Sequence, residues 1–175
     1  MRTSTTRPAR RTVGLLLALT LMTLALPAGV GASSQSGLRA VLEGKPIPLA
    51  EVARYTCHDR DYPVIHCFRN AAELDADEQQ LASMASAAPQ QLLTAFVRWY
   101  QNANYGGAFF DAYDPYPDLS VIGWARQISS FKPMNGGHPI WWQGANYTGF
   151  MWDWGTAQEP TLGGADDQIS SVKKG

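Results

Sequence analysis

An all-β two-sheet sandwich with a small N-terminal hairpin-plus-helix extension is the fold class this sequence predicts, and three observations predict it. The first is an internal duplication. Tyr100-Gln-Asn-Ala-Asn-Tyr105-Gly-Gly107 returns as Trp142-Gln-Gly-Ala-Asn-Tyr147-Thr-Gly149. Each copy opens on an aromatic residue, places a tyrosine five positions on and ends in glycine two positions later. The second is a matching close, Ala125-Arg126-Gln127-Ile128-Ser129-Ser130 against Asp166-Asp167-Gln168-Ile169-Ser170-Ser171. The tyrosines lie 42 residues apart and the last serines 41, so the units run in the same order with a one-residue slip. A unit of that length buries its apolar face by stacking on its copy. The third is a change of period at Phe96, after which short apolar runs alternate with glycine and proline turns, the pattern of strands.

The N-terminal segment reads as an export signal. Arg2, Arg7, Arg10 and Arg11 precede an apolar run from Val13 to Leu26, and Val30-Gly31-Ala32 supplies small residues for cleavage. The run is too short for a spanning helix, which needs about 20 apolar residues. Residues 1–32 are therefore expected to be removed, leaving a secreted, extracellular protein, with cell-wall association as one destination. Taking four arginines from fourteen basic residues leaves ten against fifteen acids, a net charge near −5. No basic cluster remains, which argues against nucleic acid as a partner. After cleavage no membrane association is expected, and a monomer is.

Cys57 and Cys67 are the only cysteines. In an oxidising compartment a disulfide between them is the natural reading, and closing so short a loop stabilises by roughly 2–3 kcal/mol. Zinc is the rival, because His58 and His66 flank the same cysteines. Adjacent Cys-His pairs do not match the usual knuckle spacing, however, and neighbours on a strand point to opposite faces.

In chain order, residues 33–49 are small, polar and marked by glycine and proline, and read as a flexible linker. Val52 to Cys57 and Val64 to Phe68 read as strands around the polar turn His58 to Pro63. Asn70 with Glu73 has capping-box spacing, and Ala71 to Ala87 favours a helix within 71–88, with Leu74, Leu81 and Met84 on its apolar stripe. The extension spans 50–94 and the duplicated domain 95–175. In the first unit Phe96 to Tyr100, Ala108 to Tyr113 and Gln127 to Phe131 read as strands, with Trp99 and Tyr100 on opposite faces. Asp114-Pro-Tyr-Pro-Asp118 is a rigid loop. Lys132 to Gly137 connects to the second unit, whose strands are Pro139 to Gln143, Phe150 to Trp154 and Gln168 to Val172. Gly107 and Gly149 sit where a tight hairpin needs positive φ or has no room for a side chain. Tyr105 and Tyr147 are expected to cover those glycines as part of the core, and Lys173-Lys174-Gly175 to be a solvated tail.

At these residues the chain resembles the βγ-crystallin superfamily, in particular its bacterial calcium-binding members, over about residues 96–174. Tyr100, Tyr105 and Gly107, then Trp142, Tyr147 and Gly149, match that family's Greek-key signature. Asp166, Asp167, Ser170 and Ser171 match its calcium-binding pattern completely. The resemblance implies two calcium sites between paired units, each taking an acid from one closing loop and a serine hydroxyl from the other. Carried over, Asp166 and Asp167 would act with Ser129, while Ser170 would need an acid where Arg126 stands. Ala125 replaces the other acid. About one Ca²⁺ site is expected, with the second degenerate, and Ser130 and Ser171 belong to the structural signature.

The function so implied is a secreted, calcium-binding structural or binding module, with an extracellular protein or a cell-wall polysaccharide as its macromolecular partner. One alternative is a secreted protease inhibitor, acting through Asp114 to Asp118 or Lys132 to Gly137. Another is carbohydrate or cell-wall binding through Trp141, Trp142, Trp152 and Trp154. An enzyme is not expected: His58, His66 and His138 stand in no recognisable catalytic spacing, and Asp166-Asp167 suits a ligand loop better than an acid/base pair. The sequon Asn146-Tyr-Thr148 falls within the hairpin signature and reads as fold chemistry.

Overall fold

A computed structural model describes residues 37–85 and 94–175. The expected export signal lies outside the described residues. The first strands are β1 (Arg39–Leu42), β2 (Lys45–Ile47), β3 (Thr56–Asp61) and β4 (Val64–Phe68), with a 3-10 turn at Leu49–Arg54. Helix α1 (Ala71–Ala85) follows. The duplicated part supplies β5 (Val97–Asn102), β6 (Gly106–Ala112), β7 (Ser130–Pro133), β8 (Pro139–Gly144), β9 (Thr148–Asp153) and β10 (Ser171–Lys174). The strands form a seven-stranded sheet, β2-β1-β4-β3-β6-β5-β7, and a three-stranded sheet, β10-β8-β9.

The Greek keys are closed by exchange. In the first unit the segment after β6 crosses over, and Tyr116 pairs antiparallel with Val172 of β10. In the second, Glu159 after β9 pairs with Phe131 of β7. Each unit therefore adds a short rung to the other's sheet, which is why neither half can stand as a complete sandwich. Between the sheets Trp99 stacks on Phe110 at 4.8 Å, and Tyr116, Trp124 and Trp141 meet Trp99 edge-on. Trp99 and Tyr100 do face opposite sides. Trp99 lies in this core, whereas Tyr100 joins Leu74 and Phe109 under α1.

The extension departs from expectation in four ways. Residues 33–49 are not a plain linker, because Arg39–Leu42 and Lys45–Ile47 form a hairpin whose first strand runs parallel to β4. The predicted strand Val52 to Cys57 is a 3-10 turn followed by β3, which continues through the expected turn as far as Asp61. The extension is no separate subdomain, since β3 pairs in parallel with β6 at Cys57↔Phe110 and His58↔Asp111. Finally, Met84 is 64 % exposed, so the helix buries Leu74 alone of the expected stripe. Cys57 and Cys67 are directly opposite on β3 and β4 and form the expected disulfide. The helix begins with the forward half of the capping box, Asn70 Oδ1 accepting from the Glu73 N–H at 3.1 Å, while Glu73 Oε2 reaches one residue beyond the N-cap and accepts from the Arg69 N–H at 3.0 Å.

Candidate functional site

The two hairpins are near-copies in backbone geometry. Asn104 and Tyr105 have φ of 56° and 61°, Asn146 and Tyr147 55° and 60°, and Gly107 and Gly149 77° and 78°. A left-handed tyrosine is costly and needs a fixed partner. Serine supplies it in both units. Ser130 Oγ donates to the Asn102 carbonyl at 2.6 Å and accepts from the Tyr105 N–H at 3.0 Å. Ser171 Oγ donates to the Gly144 carbonyl at 2.7 Å and accepts from the Tyr147 N–H at 3.1 Å. The tyrosine rings are half-buried rather than enclosed in the core, packed on Tyr100 at 5.5 Å and on Trp142 at 5.2 Å. Lys132 Nζ lies 4.1 Å from the Tyr105 ring, and Lys173 Nζ 5.2 Å from the Trp142 ring. Lys173 and Lys174 thus belong to β10 rather than to a free tail.

The hairpins and the crossing segments bind one another across the units. Asn104 donates its N–H to the Pro160 carbonyl at 2.7 Å, and Asn146 its own to the Pro117 carbonyl at 2.6 Å. The closing loops are likewise reciprocal. The Arg126 N–H reaches the Ile169 carbonyl at 2.7 Å and the Asp167 N–H the Ile128 carbonyl at 3.3 Å. Arg126 and Asp167 share the left-handed conformation, with φ of 59° and 52°. The residue after Ile128 is Ser129 and the residue after Ile169 is Ser170. Asp167 is thereby set against the Ser129 segment, and Arg126 against the Ser170 segment. Ser129 and Ser170 are half-buried, with their backbones fixed to the Tyr100 and Trp142 carbonyls at 3.0 and 2.8 Å. Asp166 and Asp167 are exposed. Partial burial and the neighbouring Asp166 charge hold Asp167 above the usual carboxylate range.

Chemically the two junctions differ: one closing loop carries Asp166 and Asp167, and the other carries Ala125 and Arg126 in their places. A hard cation wants carboxylate, hydroxyl and carbonyl oxygens. Asp166, Asp167 and Ser129 carry oxygens of that kind on the two loops that pair. At the other junction Arg126 is the residue equivalent to Asp167, and a guanidinium cannot ligate a cation.

Sequence reasoning missed three buried polar groupings, of which the first joins the extension to the sandwich. Asp59 is buried and accepts from the Tyr113 N–H at 2.7 Å and the Tyr116 hydroxyl at 3.0 Å. Arg98 and Asp111 form a bidentate pair, both bonds 2.6 Å. His58 is buried against Asp77 at 3.3 Å, and its burial lowers its pKa. Only the cross-strand register Arg98↔Asp111 and the course of β3 would have exposed these partners.

No family model and no curated protein matches the chain. Solved structures do. A βγ-crystallin from an archaeon is 31% identical, with 46% of this chain aligned to 98% of that one at a TM-score of 0.42. A βγ-crystallin domain from Clostridium beijerinckii is 30% identical over 46% of this chain and 97% of its own, at 0.41. One from Flavobacterium johnsoniae is 21% identical over 45% and 92%, also at 0.41.

Proposed function

This chain belongs to the βγ-crystallin superfamily through its duplicated half, and from that premise we propose that it is an exported calcium-binding module in which one Ca²⁺ ties the two Greek-key units together. The observation that carries the reading is the bond from the Asp167 N–H to the Ile128 carbonyl. It joins the acidic loop of one unit, through its main chain, to the residue that precedes Ser129 in the other. Asp166 and Asp167 would supply the charge and Ser129 a neutral oxygen, with nearby backbone carbonyls completing the six to eight oxygens that Ca²⁺ takes. A metal held by both units exists only in the folded chain, so its binding energy adds to stability. The role is structural or adhesive rather than catalytic.

Calorimetric titration of the exported protein with Ca²⁺ after chelation tests this, and the mass of the same preparation shows whether it begins at Ser33. About one site per chain is expected from the donor count. At a hundredfold excess over Kd the fold should gain about 2.7 kcal/mol, read as a raised melting temperature. Asp167→Ala should abolish the shift, and Ser129→Ala should reduce it more than Ser170→Ala. Two equal tight sites would refute the role given to Arg126. No heat and no stabilisation at millimolar Ca²⁺ would refute calcium binding itself.

A further inference from the structure

The two units differ at one equivalent place. In the first, the space between β6 and the 3-10 turn Leu119–Ile122 is filled by the chain itself. The turn Leu49–Arg54 packs there with Val52 and Ala53 buried. Its approach is so close that a Cβ at Gly123 would collide with the Ala50 carbonyl oxygen. In the second unit the matching space, between β9 and the 3-10 turn Gly163–Ala165, is an open cleft of about 420 Å³. Among the described residues, no segment occupies it. Phe150, Trp152 and Trp154 form one wall, Leu162 and Ala165 another, and the amides of Gln143 and Gln168 border it.

We infer that this cleft binds a neutral pyranose oligosaccharide. The aromatic wall is held in place before any ligand arrives. The indoles of Trp152 and Trp154 are parallel within 3° at 6.4 Å, Trp154 rests on Phe131 at 5.4 Å, and Phe150 packs on Trp152 at 5.1 Å. Both indoles are only half-buried and Phe150 is 62 % exposed. A pyranose ring offers a C–H face, weakly positive, to the negative face of an indole, and a rim of hydroxyls to amides that both donate and accept. No lining residue carries a charge, so nothing there compensates a phosphate, a carboxylate or an ammonium group. The volume falls within the range of about 300–1,000 Å³ usual for small-ligand clefts.

A peptide segment is the competing occupant, because a peptide fills the equivalent space in the first unit. There Val52 and Ala53 fit beside Ala108, Phe110 and Ala112. At the 42-residue register these become Phe150, Trp152 and Trp154. The alanine-sized slots that admit side chains are gone, and flat ring surface replaces them. The tryptophan expectation therefore narrows: Trp141 is fully buried and Trp142 is covered, so neither can stack on a ligand.

The test is titration of the exported protein with cellohexaose, chitohexaose and xylohexaose, followed by tryptophan fluorescence and calorimetry. Saturable binding to at least one is expected, in the micromolar to millimolar range. Phe150→Ala removes an exposed ring at little risk to the fold and should weaken binding roughly tenfold, with Trp152→Ala weakening it further. Thermal melts of both variants separate loss of ligand contact from loss of fold. Asp167→Ala should leave sugar binding intact, so that failure here and failure of the calcium reading are distinct. Three results would overturn the inference: no saturable change with any hexasaccharide at millimolar concentration, unaltered binding in Phe150→Ala, or a dimer in sedimentation equilibrium that Phe150→Ala dissolves.

Discussion

Asp111 and Asp153 occupy the same position in the two units, and their surroundings are opposite. Asp111 is 1 % exposed beneath the extension, bonded through both oxygens to Arg98, and burial pushes its pKa up. Asp153 is exposed at the end of β9, and the His138 imidazole at 2.6 Å pulls its pKa down. The preceding positions tell the same story: Phe109 is 5 % exposed and its counterpart Met151 51 %. The cause is what lies alongside. β6 is paired with β3, and α1 covers its outer face through Leu74, whereas β9 is an edge strand. Duplication preserved the backbone features the fold needs, the left-handed hairpin and its serine. Side chains then followed whatever each sheet came to be covered by.

Breaking the buried pair should give the largest contrast. Asp111→Ala leaves the Arg98 guanidinium, itself packed 3.9 Å from the Phe109 ring centroid, as an uncompensated charge. Removing one partner of such a pair costs about 3–5 kcal/mol. Asp153→Ala interrupts only exposed contacts, the His138 pair and the bond accepted from the Gly155 N–H at 2.8 Å, and should move the urea midpoint far less. Similar losses at both positions would show that the extension does not set the energetics of the first unit.

A smaller effect is expected from pH. Burial raises Asp59 to about 7, against the donors Tyr113 N–H, Tyr116 hydroxyl and Asp114 N–H, which favour the ionised form. Its folded pKa exceeds its unfolded one, so its contribution is full below about pH 4 and is lost as pH rises through about 7. Asp153, lowered by His138, acts in the opposite sense on acidification. The quantity to measure is therefore the difference between the natural protein and Asp59→Asn, in urea midpoints from pH 4 to 8. The variant should lose the decline between pH 4 and 7, by an amount on the order of a few kcal/mol for a shift of this size. Parallel profiles would mean that Asp59 titrates alike in the folded and unfolded chains.

What was legible in the sequence was whatever is enforced locally. Gly107 and Gly149, Asn70 with Glu73, and the Cys57–Cys67 pair each announce a requirement met within a few residues or by direct pairing. The duplication made the Greek keys readable because a repeat states its own register. The hairpin at Arg39–Ile47 was hidden. Its strands are short, Gly44 and Pro46 look like loop residues, and their order comes from pairing with β4 rather than from their own propensity. Asp59 was hidden because His58-Asp-Arg-Asp reads as a solvated turn, and its partner Tyr116 lies 57 residues on. At the closing loops, Asp166, Asp167, Ser129 and Ser170 were legible as a chemical set. The reciprocal bonds that match Asp167 to the Ser129 segment, and Arg126 to that of Ser170, required the fold.

The last difference between the units is the one most easily reversed. Arg126 and Asp167 are equivalent in sequence, in φ and in the backbone bond each makes to the opposite loop. That bond uses the main-chain N–H, so Arg126→Asp should leave it in place. Aspartate also tolerates the left-handed conformation better than arginine does. Stability without metal should therefore change by no more than about 0.5 kcal/mol, as for an ordinary surface substitution. The metal chemistry should change more. A non-ligating cation becomes a carboxylate at the position equivalent to Asp167, and on the proposed calcium reading calorimetric stoichiometry should rise from about one Ca²⁺ per chain to about two. The new site should be the weaker, because Ala125 still stands where Asp166 stands in the other loop, and adding Ala125→Asp should tighten it. An unchanged stoichiometry in the double variant would place the asymmetry of the two junctions outside these side chains, in how the extension holds the first unit.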